Sequence, residues 1–323
     1  MVATDPERRH KLGKNEAGRL NLAGNSGIKV GQSTRTDRLR GSSAVFSNLT
    51  GAVVRALLVM VLVATPSAIL INSSVDSRQM VALVALFAGV LTFVEYYSTY
   101  PGLVEFRDAK PFNRIRFMML FCTVLGLTLI ESGRESPTTL TQFVQAVGAL
   151  IGYSMDFPYS PVRLAAELMS TSGDPAQMES VRTATGMAYL ISLISLAVFV
   201  MQLKAGAWPR RDSAFNVWVN LPTFDPSAGG DVVYRLTRDA RINIALGFLL
   251  PFWTPLVLNM ASLGFQPLSM SSPQTLIWTV TAWSFLPASL FMRGIALGRV
   301  ADMIKEKRRA GVLAGASPNL ATA

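Results

Sequence analysis

Residues 184–203 read ATGMAYLISLISLAVFVMQL, with no charged residue between Arg182 and Lys204. A helix of about 20 apolar residues crosses the ~30 Å hydrocarbon core of a bilayer. A helix that is apolar on every face has to be buried in a large core or in lipid. Five further blocks of this kind occur, at 52–71, 80–97, 115–130, 244–260 and 276–292. A seventh, at 139–155, carries Gln142 and Gln145 and is short for a span. Only 15% of the 323 residues are charged, against roughly 25% in soluble domains. The pattern predicts an all-α integral membrane protein, a helical bundle rather than a water-soluble core.

Charge decides how many blocks cross. With six spans, 26 of the 30 Lys and Arg residues fall on one side, and only Arg78, Arg134, Arg163 and Arg182 on the other. Cytoplasmic loops are enriched in Lys and Arg, so the six-span bundle has both termini in the cytoplasm. Seven spans would move the loop 204–241 and the basic C-terminal tail to the opposite side. The segment 131–183 is then external, and 139–155 either lies on the outer surface or enters the membrane and returns. The domains expected are a disordered basic tail at 1–50, a membrane domain at 51–310 and a flexible tail at 311–323.

Local signals add detail. Asp174-Pro175 followed by Gln177 predicts a capped helix start that runs into the fourth span. The last helix should continue past its span to Arg309, with Gly311 as its stop. In the loop 204–241, the alternation of Phe215, Val217, Val219 and Leu221 reads as a strand, and residues 225–230 as a turn. Asp231 is placed to cap the helix that enters the fifth span.

Several chemistries are excluded by composition. Cys122 is the only cysteine and His10 the only histidine, so an intrachain disulfide, a haem held by two histidines, a histidine zinc site and a Ser-His-Asp triad have no residues to build them. No phosphate-binding loop or dinucleotide fingerprint is present. No cofactor or metal is expected. The net charge of +10 flanks apolar blocks, which points to orientation and anionic lipid rather than to nucleic acid.

Three constellations are candidate sites. Arg-Asp pairs at Arg107-Asp108, Arg211-Asp212 and Arg238-Asp239 are each followed within six residues by an Asn, at Asn113, Asn216 and Asn243. They form either one polar cluster on the inner face or three local pairs of interfacial charges. Arg235, Arg238 and Arg241 recur every three residues, a stripe suited to anionic lipid. Pro251 and Pro255, near Thr254 and Asn259, break the fifth span and mark either a substrate site or a packing kink. The pairs Gly148–Gly152 and Gly294–Gly298 have the spacing of close helix crossings.

These features favour a non-catalytic component of a bacterial inner membrane, a scaffold or accessory subunit of an envelope complex whose partners are membrane lipids and other envelope proteins. Arg far in excess of Lys fits a bacterial source. A small-solute transporter or channel is the competing reading. A membrane enzyme using Asp108, Asp212 or Asp239 on a lipid-linked substrate is the third. Topology is directly testable: reporters fused at Ala205 and Ala323 should both read cytoplasm and one at Thr171 the outside, whereas opposite signals at Ala205 and Ala323 would overturn six spans.

Overall fold

The computed structural model describes residues 35–71, 74–107, 109–170, 174–206, 208, 217–225, 229–264 and 272–315. Contacts divide the chain into two units, Met1–Leu49 and Thr50–Ala323. In the first, the described backbone, from Arg35 on, is helical, so the helix of the first span starts well ahead of the apolar block. In chain order the elements are α1 (Arg35–Ile69), α2 (Val75–Tyr97), α3 (Lys110–Glu135), α4 (Thr139–Ser154), α5 (Pro161–Met169), α6 (Pro175–Lys204), α7 (Val217–Asn220), α8 (Val232–Gly264) and α9 (Pro273–Gly315). Six of them, α1, α2, α3, α6, α8 and α9, contain stretches long and apolar enough to cross a membrane. The chain is a multi-pass helical membrane protein.

The expected helix starts are realised by the expected groups. Asp174 accepts a hydrogen bond from the Ala176 amide at 3.0 Å, with Pro175 as the first helical residue. Asp231 accepts from the Tyr234 amide at 3.3 Å at the head of α8. Two expectations differ. Among the described residues, 217–220 form a turn of helix, not a strand, because this short apolar stretch folds down into the core through Leu221 and pins the α2–α3 loop, with the Asn220 carbonyl accepting from the Phe106 amide at 2.7 Å. And α9 does not stop at Gly311. It continues to Gly315, since a glycine followed by Val-Leu-Ala is not enough to end a helix whose register is already set.

The Lys- and Arg-rich ends of α3, α6, α8 and α9 gather at one end of the bundle, called here the basic end. A hydrophobic core there contains Phe106, Phe112, Phe199, Trp208, Leu221, Phe224, Leu236, Met292 and Val300. The other half of the bundle has its own core, with Val124, Leu127, Val162, Val181, Ile277 and Trp283. At that opposite end the Gln274 amide of α9 donates to Ser67 of α1 and accepts from Ser77 of α2, both at 3.1 Å.

The seventh block is the short helix α4. Thr138 caps it, accepting from the Thr141 amide at 3.2 Å while the Thr141 hydroxyl accepts from the Thr138 amide at 2.8 Å. Its Gln145 amide donates to the Ile130 carbonyl of α3 at 3.2 Å. Gly148 and Gly152 lie against Gly186 of α6, so close that a Cβ on Gly186 would stand 2.5 Å from the Gly152 nitrogen and 2.7 Å from the Gly148 oxygen. Gln145 of this block is thus used on a neighbouring helix, while Gln142 is exposed. Gly186→Ala should lower stability by about 1–3 kcal/mol, the usual cost of overpacking, because the obstructing atoms are backbone. Gly126→Ala meets only side-chain carbons at 3.6 Å and should be neutral. Thermal unfolding of the two variants in detergent checks the contrast.

Candidate functional site

At the basic end one guanidinium organises three segments. Arg293, the residue after the apolar run of α9, donates from Nε to Glu105 Oε2 at 2.6 Å and from Nη2 to Glu105 Oε1 at 2.8 Å. Its third nitrogen, Nη1, donates to Asn243 Oδ1 of α8 at 3.0 Å. The Thr223 hydroxyl donates to Glu105 Oε1 at 2.9 Å. A forked pair of this kind matches guanidinium to carboxylate at both oxygens. Glu105 keeps 12% of its side chain exposed and Arg293 30%, so the pair is largely screened from water.

The loop that carries Glu105 is built to hold it there. Phe106 has a left-handed backbone, φ 52°, a conformation a bulky residue adopts only when its surroundings impose it. Its ring is fully buried against Phe112 and Trp208. Asn113, from the first turn of α3, donates to the carbonyls of Glu105 at 3.1 Å and Phe106 at 3.0 Å. The start of the same loop is held by Glu95, whose carboxylate accepts the backbone amides of Gly102, Leu103 and Val104 at 2.9–3.3 Å. Arg116 lies beneath, over the faces of Phe112 at 5.1 Å and Phe285 at 5.8 Å.

The candidate residues separate in this frame. Arg107 donates to the Ser98 carbonyl at 2.5 Å and belongs to the loop. Asn113 and Asn243 both enter the network around Glu105 and Arg293. Asn243 also donates to the Asp239 carbonyl one turn back, at 2.7 Å. Asp239 pairs with its neighbour Arg238 at 3.4 Å in an exposed position. Asp108, Arg211, Asp212 and Asn216 lie outside the described residues. Of the three-residue stripe, Arg235 faces the cap, donating to the Asp225 carbonyl at 2.9 Å and lying over Phe224 at 4.5 Å. Arg241 is exposed to a groove between α6, α8 and α9.

The break in α8 at Pro255 is bridged from α9. Pro255 has no amide hydrogen for the Pro251 carbonyl, and the indole Nε1 of Trp283 on α9 donates to that oxygen at 3.0 Å. Thr254 donates to the Leu250 carbonyl at 2.7 Å, and Asn259 to the Leu168 carbonyl of α5 at 3.3 Å. A cavity of about 360 Å³ does adjoin Pro251 and Pro287, walled by Tyr189, Phe248, Phe252 and Phe291. Of its hydroxyl-bearing residues, Tyr159, Tyr189, Ser192 and Ser284, the two serines are engaged within the bundle: Ser192 donates to the Ser284 carbonyl at 3.5 Å and Ser284 to the Thr281 carbonyl at 3.2 Å.

Sequence reading missed Glu105, Thr223 and Arg293 as a unit. The available signal was a lone carboxylate in the apolar loop 100–106 and an arginine flush against a span. Glu131, at the other end of α3, is likewise more buried than its place at a span end suggests, with 4% of its side chain exposed and Arg134 at 3.6 Å. Among the described residues no group of three His, Cys, Asp or Glu side chains could hold a metal. In comparisons with known proteins, no family, no curated protein and no solved structure matches the chain.

Arg293→Gln and Glu105→Gln should each cost about 1–3 kcal/mol. That is below the 3–5 kcal/mol of a fully buried pair, because Arg293 keeps part of its hydration. The Arg293→Met, Glu105→Met double variant should cost less than the sum of the single losses, which chemical or thermal unfolding in detergent will show as a coupling energy.

Proposed function

We propose that this protein is a non-catalytic component of a bacterial inner membrane that works by holding partner proteins, as a scaffold or accessory subunit of an envelope complex, with both termini in the cytoplasm. The observation that supports this reading is the folded cap on the basic end. The α2–α3 loop docks through Glu105 onto Arg293 of α9, the segment 217–225 holds that loop through Asn220 and Thr223, and α9 runs on beyond its apolar stretch. At 43 residues α9 is ~64 Å long, about twice the ~30 Å hydrocarbon core. Arg308 ties its tip to Asp231 at 2.7 Å. Lys307 and Arg309 beside it are exposed. A helix that continues past its apolar stretch and carries exposed charge at its end offers a surface on which a partner can dock.

The transporter reading draws on the cavity beside Pro251. Its two serine hydroxyls and the Pro251 carbonyl already have partners within the bundle, which favours docking over passage of a polar solute. The enzyme reading draws on Asp239, whose described neighbour is Arg238 on the same exposed turn.

Mild solubilisation of native membranes followed by purification of the full chain should yield a stoichiometric protein partner. The Lys307→Glu, Arg309→Glu variant should insert and unfold like the wild type but lose that partner. A chain that purifies alone, or solute uptake by liposomes containing only this protein, would overturn the proposal.

A further inference from the structure

A groove holding about 600 Å³ opens at the basic end between α6, α8 and α9. Pockets of roughly 300–1,000 Å³ suit a ligand of ordinary small-molecule size. One wall is apolar, made by Val200, Leu203, Ile244 and Ile295, and its floor is Ala240, Gly294 and Gly298. The rim carries Lys204, Arg241, Arg299 and Lys305, with Asp302 as its one acid. Asp302 pairs with Lys305 at 3.5 Å. Among the described residues Lys204, Arg241 and Arg299 have no carboxylate within ion-pair distance. These are three cations from three different helices around one concavity, where the nearby Arg293, Arg308 and Arg238 all have acids of their own.

We propose that this groove is a binding site for one anionic phospholipid, independent of the partner reading above. Lys204 directly follows the apolar block of α6, and Arg241 stands three residues before that of α8, so both lie where lipid phosphates lie. Arg299 is two turns beyond the run of α9 and closes the rim from the side away from the membrane. The phosphate is held by these three, and the upper part of an acyl chain lies along Val200, Ile244 and Ile295. That division of labour, cations at headgroup level above an apolar wall, distinguishes the site from a general attraction of basic residues to a charged surface. The neighbouring groove of about 480 Å³ shares Thr237, Arg241 and Lys305 with it and adds Arg238 and Asp231, both of which already have ion-pair partners. The sequence stripe Arg235, Arg238 and Arg241 thus supplies only one residue to the phosphate. The others come from α6 and α9.

Each basic residue near an anionic surface strengthens attachment roughly fivefold. Titration of the purified full chain in detergent with phosphatidylglycerol, followed by native mass spectrometry, should show one tightly held lipid, preferred at least about tenfold over phosphatidylcholine. The Lys204→Gln, Arg241→Gln, Arg299→Gln variant should bind both lipids alike. Removal of three other exposed charges, Arg114→Gln with Lys307→Gln and Arg309→Gln, should leave the preference intact. Gly298→Leu tests the apolar part: a Cβ there meets only the Ala240 methyl at 3.9 Å, so the side chain fills the groove with every cation in place and should displace the lipid. Unchanged thermal unfolding is required of each variant, and single Gln substitutions replace the triple if it unfolds early. Wild type without a preference, a preference that survives the groove variants, or displacement of the lipid by millimolar glycerol phosphate, which would mark a site for free phosphate, overturns the proposal.

Discussion

Arg293 stands one residue beyond the apolar run of α9, where a guanidinium can neither be left bare nor be reached freely by water. A charge at this depth must pair, snorkel or draw water inward. Here the pairing is brought to it: the α2–α3 loop carries Glu105 across 188 positions of sequence to make two hydrogen bonds. Much of the basic end follows from that requirement. To present Glu105, Phe106 takes a left-handed backbone and buries its ring. Asn113 secures the loop carbonyls, and Asn220 accepts the Phe106 amide. The hydrophobic core around Trp208 and Phe224 is then closed by segments that have no reason of their own to sit on a membrane helix.

The same cost of an unpartnered polar group in hydrocarbon applies to the backbone. An unpaired carbonyl in lipid costs several kcal/mol, so a proline inside a span needs a donor from elsewhere. Trp283 provides it for the Pro251 carbonyl, which joins α8 to α9 in the middle of the bundle as Arg293 and Asn243 join them nearer its end. Where side chains are absent the backbones themselves meet, as Gly186 does with Gly148 and Gly152, and Gly294 with Ala240. Gly148, Gly152 and Gly294 thus sit at close helix crossings, whereas a Cβ at Gly298 would meet only the Ala240 methyl, at 3.9 Å. At Pro255 the break is bridged from α9, since Trp283 donates to the Pro251 carbonyl that it frees.

What could be read from the sequence was what the bilayer dictates locally. Span length, the apolar blocks and the caps at Asp174 and Asp231 are set by neighbours within a few residues, and the structure has them. The reading failed where a partner far along the chain decides. An alternation of Phe215, Val217, Val219 and Leu221 carries no information about a sheet it would join, and the described part is a helical turn held by contacts to the α2–α3 loop. Gly311 has the residue type of a helix stop, but a stop also needs a following segment that turns away. The Glu105–Arg293 pair was out of reach for the opposite reason. Each residue alone reads as an ordinary interfacial charge, and only their meeting gives either a role.

The count of basic residues on one side, so useful for counting spans, also conceals a division. Arg293, Arg235 and Arg107 are spent inside the cap on Glu105 and on backbone carbonyls. Arg238, Lys305 and Arg308 are matched by Asp239, Asp302 and Asp231. Among the described residues Lys204, Arg241 and Arg299 have a partner of neither kind, though nothing in their sequence context separates them from the rest. An orientation signal works wherever the charge falls along a loop, so it does not require three helices to deliver one unpaired cation each to the edge of an apolar groove. A ligand with a phosphate above a hydrocarbon chain does require that arrangement. The carboxylates nearby are held by other cations, Asp302 by Lys305, Asp239 by Arg238 and Asp231 by Arg308, which leaves the rim of the groove with a net positive charge.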